Sequence, residues 1–126
     1  MQKSNEQPES PRRFVKVMPE YTSTGLWNTQ GANLEESEVP MSAALLNRLR
    51  AWCAWYERND EHLPMHDRKF DLDAFSAEGL KIARALKAEL PDWTVVYFDE
   101  AKLMASMRAR PKERSFYEYE VMAVTA

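Results

Sequence analysis

The chain's first apolar segment, Phe14-Val15-Lys16-Val17-Met18, is stopped by Pro19. Its alternating, β-branched character over residues 13–18 favours an extended strand, and Pro19 withholds a ladder donor and ends it. The loop that follows carries Tyr21 and, after Gly25-Leu26, the pair Trp27-Asn28. Two large rings on one loop must either fold into the core or face a partner. A strand and a corner are therefore set before any helix begins. The preceding residues 1–12 are polar, proline-containing and aperiodic, which predicts a disordered tail, with one α+β domain over 13–126.

Two helical patterns come next. Ser42 is a good N-cap for a helix over 43–59, with Leu45, Leu49, Trp52 and Tyr56 on one face and Leu46 and Cys53 widening it. Trp55 falls off the centre of that stripe and is expected to be half exposed. Asn59-Asp60 and Pro64 break the pattern. A second helix is predicted over 73–90, with an inner stripe of Phe75, Gly79, Ile82, Leu86 and Leu90 and an i,i+3 pair between Glu78 and Lys81. Residues 93–98 form the strongest strand signal, and 116–124 another, on which Tyr117 and Tyr119 would share a face. A helical turn is expected around 102–107. This order predicts a small two-layer α+β domain, in which a three- to four-stranded, mostly antiparallel sheet packs against two helices.

Composition narrows the classes open to such a domain. With 126 residues, 44% of them apolar, the chain can bury roughly two-thirds of its unfolded surface without a disulfide or metal. The single cysteine, Cys53, has no internal partner, which suits a reducing cytoplasm. No apolar run approaches the roughly 18 residues of a membrane span, and the first residues offer no signal-peptide stretch. Charge is uneven: residues 20–73 hold ten acidic and five basic side chains, while 74–126 hold eight of each. An acidic middle argues against nucleic acid as the main ligand, because phosphate neutralisation needs clustered Lys and Arg. It would suit a basic protein partner, although a solvated acidic face is the commoner cause.

Catalytic patterns find little support. His62 and His66 have the spacing of a helical metal pair, but Pro64 between them opposes the helix, and no further Cys or His completes a site. Asp92 with Glu100 and Lys102 superficially matches a metal-dependent nuclease motif, yet one strand would hold Asp92 and Glu100 at its opposite ends, roughly 25 Å apart. Cys53 lies on an apolar stripe and is expected to be a structural thiol. The three glycines are scattered, so there is no phosphate loop, and Gly79 inside a helix implies close packing. The basic stretch 108–114 is expected to be a solvated loop. No cofactor is expected.

Five motifs recur together in this chain: Val17-Met18-Pro19-Glu20-Tyr21, Leu26-Trp27, Pro40-Met41-Ser42 leading to Leu45, Phe75-Ser76-Ala77-Glu78-Gly79, and residues 93–100. Over residues 14–100 the pattern resembles immunity proteins of bacterial polymorphic toxin systems, including contact-dependent growth inhibition. The resemblance implies a cytoplasmic, non-enzymatic protein, monomeric when free, that binds the C-terminal toxin domain of its own system. It supplies no catalytic residue. Within that expectation the candidate contact residues are Glu35, Glu36 and Glu38, a second cluster of Asp60 and Glu61, and the rings of Tyr21 and Trp27, for which bracing the corner is the competing role. The alternatives are a small metal-dependent nuclease or other enzyme, and an accessory interaction domain that dimerises through Trp55 or an edge strand.

Overall fold

The computed structural model describes residues 13–58, 69–108 and 113–123. Strands β1 (Phe14–Val17) and β2 (Leu26–Trp27) pair antiparallel, with Lys16 opposite Trp27 and Val17 opposite Leu26. Helices α1 (Ala43–Glu57) and α2 (Leu72–Glu89) follow, then β3 (Thr94–Phe98), α3 (Glu100–Arg108) and β4 (Glu118–Glu120). The four strands lie in the order β2-β1-β3-β4. Flanking pairs are antiparallel, as the pattern predicts for most of the sheet, whereas the central β1–β3 pair is parallel, with Phe14 opposite Thr94 and Val17 opposite Tyr97. A parallel pair needs a crossover, and α1 and α2 supply it.

Helix α1 forms where its cap and stripe predict. The Ser42 side chain accepts from the Leu45 N–H, and Leu45, Leu49, Trp52 and Tyr56 are buried. Helix α2 begins a turn's fraction earlier than the apolar pattern indicates, because Asp71 caps it through the Ala74 N–H. The two helices run antiparallel: Ser42 hydroxyl donates to Glu89, Arg48 holds Glu78, and Trp52 donates to the Phe75 carbonyl. Glu78 therefore pairs across to α1 through two guanidinium nitrogens, and Lys81 acts on it only as a more distant charge. Exposed pairs of this kind contribute little, typically under about 1 kcal/mol.

The core lies between α1, α2 and one face of the sheet. Val15, Val17, Leu26, Val95 and Tyr97 point into it and are fully buried. Trp52 stacks on Phe75 at 4.6 Å, and the Tyr97 hydroxyl donates to the Ser76 carbonyl at 2.7 Å. Gly79 packs where these rings converge; a Cβ there would overlap the Tyr97 hydroxyl and the Trp52 indole. Trp55 is half-buried and meets Phe75 edge-on at 5.2 Å.

A full third helix, α3, stands where a helical turn is expected, so among the described residues the helical layer has three members. Asp99 starts it, accepting from the Lys102 N–H, and Ser76 of α2 accepts from the Ala101 N–H. The last strand is shorter than 116–124. A 3-10 turn at Arg114–Phe116 leaves Tyr117 in a helical conformation, and pairing starts only at Glu118.

Candidate partner-binding surfaces

The β1–β2 corner fixes the two rings that the opening block places there. Tyr21 is half-buried, with its ring 4.9 Å from that of Tyr56 on α1. The Tyr56 hydroxyl donates to Glu100 at 3.1 Å; burial, then the neighbouring Glu100 carboxylate, push its pKa upward. Trp27 is half-buried and donates its indole N–H to the Met18 carbonyl at 3.0 Å, tying the two ends of the corner together. Between them Thr22 adopts a φ of 53°, a strained value for a β-branched residue, and its N–H donates to the Glu57 carboxylate.

The acidic turn is partly used by the chain itself. Glu36–Glu38 is a 3-10 turn in which the Glu38 carboxylate accepts from the Glu35 N–H at 2.8 Å. Glu36 makes a two-pronged pair with Arg50 of α1, and that guanidinium holds its carboxyl below the usual carboxylate range. Glu35 and Glu38 remain exposed. Asp60 and Glu61 lie outside the described residues, as do His62 and His66.

A different surface is made by the other face of the sheet. Trp52 reaches Tyr97, Tyr97 bonds to α2, and Lys102 of α3 lies over the Tyr119 ring, so all three helices pack on one face. Strand alternation sends Phe14, Lys16, Trp27, Thr94, Val96 and Phe98 the opposite way, and all are half-buried. Among the described residues no helix lies over this face. At one end it opens into a cleft of about 510 Å³ lined by Phe14, Lys16, the turn 28–31, Arg114 and Glu118. The Asn28 side chain shapes that turn by accepting from the N–H groups of Gln30 and Ala32. Glu118 meets Lys16 at 3.5 Å and Arg114 at 3.3 Å. Nothing in the local sequence flags these residues, which come from both ends of the chain.

The residues weighed for chemistry are kept apart. Asp92 pairs with Arg13 at 3.9 Å at one end of β3, while Glu100 opens α3 beyond the other end and accepts from Tyr56. Cys53 is half-buried against the Thr24 carbonyl at 3.4 Å; burial, then the Glu57 and Glu36 carboxylates, push its thiol up to about 11. Tyr117 and Tyr119 part company, contrary to the single strand face predicted for them. Tyr117 meets Phe98 edge-on at 5.7 Å, and Tyr119 meets Tyr97 on the helical side while donating to Asp99 at 2.9 Å. The 3-10 turn resets the alternation just before β4 and causes the difference. Among the described residues no group of three or more His, Cys, Asp and Glu side chains is placed to hold a metal ion. Nor is any described helix long and apolar enough to cross a membrane.

A mixed sheet backed by three helices, with the Trp27 and Trp52 indoles and the Tyr56, Tyr97 and Tyr119 hydroxyls bonded internally and, among the described residues, one face with no helix over it, is the build of a small interaction scaffold. Residues 13–100 match the Serratia CdiI immunity protein-like family, and the chain belongs to that family. The match spans both the corner and the first three strands, ending as α3 begins. No curated protein matches the chain.

Proposed function

We propose that this protein is a non-enzymatic immunity protein that binds the toxin domain of its own growth-inhibition system and neutralises it in the cytoplasm. The family match over residues 13–100 carries this reading. Neutralisation by binding asks for a stable scaffold and a complementary surface, and for no reacting group. A basic toxin, such as a nuclease, would be drawn toward the exposed carboxylates of Glu35 and Glu38, which raise the association rate more than the final affinity. Glu36 contributes less to that field because Arg50 offsets it. Tyr21 and Trp27 serve the interface by holding the corner in shape.

Co-expression with the C-terminal toxin domain of its own system tests the reading. Restored growth and a stoichiometric complex are expected; failure of both binding and rescue removes it. Reversing Glu35 and Glu38 to lysine should slow association several-fold at low salt, with the dissociation rate unchanged, as followed by surface plasmon resonance.

A further inference from the structure

The geometry points to the open face of the sheet as the surface that holds the toxin, with a carboxylate of the toxin entering the cleft between Lys16 and Arg114. This rests on the immunity reading and adds to it which surface binds and what chemistry it selects.

The argument starts from the charges in the cleft. Its charged lining is two cations and one carboxylate, Lys16, Arg114 and Glu118, a net charge of +1. One oxygen, Glu118 Oε1, serves both cations, at 3.5 Å from Lys16 Nζ and 3.3 Å from Arg114 Nε. Both distances exceed the about 2.7–2.9 Å of a well-made charge-assisted bond. A lysine has three donors and a guanidinium five, so most of this donor capacity is unspent on Glu118. Lys16 is also poorly placed to spend it on water, since its side chain is only 14% exposed, as is Glu118 at 17%. A second carboxylate entering the cleft would balance the charge and take up those donors in a site where water competes weakly.

The surroundings fit a protein better than a small anion. From Phe14 in the cleft lining, Val96 and Phe98 continue a half-buried apolar row on the same face, with Tyr117 edge-on to Phe98, and Trp27 sits across from Lys16 in the sheet register. An apolar, aromatic centre edged by charged groups is the usual plan of a protein–protein contact. Arg114, 72% exposed, stands at the edge where an incoming side chain would meet it first.

The test uses the full chain and the toxin domain of its own system, with affinity and dissociation rate measured for Arg114→Glu and Arg114→Lys. Arg114→Glu should keep the wild-type melting temperature, because the side chain is exposed, yet bind at least tenfold more weakly through faster dissociation. Arg114→Lys should stay within threefold of wild type. A folded Arg114→Glu chain that binds within twofold of wild type overturns the proposal while leaving the immunity reading intact. Failure of the wild-type chain to bind removes the immunity reading itself. A free chain that sediments as a dimer, and as a monomer once Arg114 is reversed, would give the face to a second copy and overturn the proposal. Single Asp or Glu to Lys changes in the toxin should include one that recovers binding to Arg114→Glu; if none does, the carboxylate assignment falls.

Discussion

The two faces of the sheet are made by alternate residues of the same strands, yet they obey different rules. In β3, Val95 and Tyr97 are fully buried beneath the helices, whereas Thr94, Val96 and Phe98 are half-buried on the open side. On the covered side the central rings have partners for their polar tips: Trp52 on Phe75, Tyr97 on Ser76, Tyr119 on Asp99. On the open side two cations share one oxygen of Glu118. Stability is concentrated on the first face, and capacity for further contacts is left on the second. A protein selected to bind another protein gains from that separation, because the open face can change without dismantling the core.

The separation can be broken in several places. Trp52→Ala removes the ring at the centre of the covered face and should cost about 3–5 kcal/mol in urea unfolding. Gly79→Ala drives a methyl into Trp52 and Tyr97 and should cost about 1–3 kcal/mol, with a visible change in near-ultraviolet dichroism from the displaced rings. Adjacent valines give the sharpest contrast: Val95→Thr buries a hydroxyl and should lose about 1–3 kcal/mol, while Val96→Thr should stay within about 0.5 kcal/mol. Equal losses at the two valines would mean that the second face is covered after all.

The smallest effect concerns pH. Cys53 has its thiol raised from an ordinary 9.0 to about 11, first by burial. A raised acid favours the neutral form in the folded state, so this contribution to stability is full below pH 9.0 and is lost as pH climbs through about 11. Iodoacetamide labelling of the native chain should therefore reach half its maximal rate near pH 11, and near pH 9.0 once the chain is unfolded. A native midpoint near 9.0 would place Cys53 outside the protected core.

Much of this division was legible in the sequence, and the exceptions have physical causes. The stripe Leu45, Leu49, Trp52 and Tyr56 repeats with helical period after a capping serine, so its burial follows from local pattern. Alternation in 14–17 and 94–98 likewise separates inward from outward residues. Alternation is silent about whether the outward set is covered, and pairing direction is silent in any single strand, so the parallel β1–β3 pair was beyond reach. Glu78 has a plausible neighbour one turn along in Lys81, but helix packing brings Arg48 closer. The acidic run was visible, but Arg50's hold on Glu36 depends on how α1 passes the 36–38 turn. The cleft was hidden for the same reason: Phe14, Lys16, Arg114 and Glu118 meet only when the ends of the chain do.

The parallel pairing of β1 with β3 also has a consequence in time. Residues 14–17 cannot join the sheet until 94–97 exist, because β3 is the strand between β1 and β4. On the ribosome, β1 leaves the exit tunnel long before its partner, and only α1, α2 and the β1–β2 corner can form in the interval. Nascent chains cut short before Thr94 would thus hold helices but no sheet centre, and the cleft between Lys16, Arg114 and Glu118 would assemble only once residues 114–118 follow.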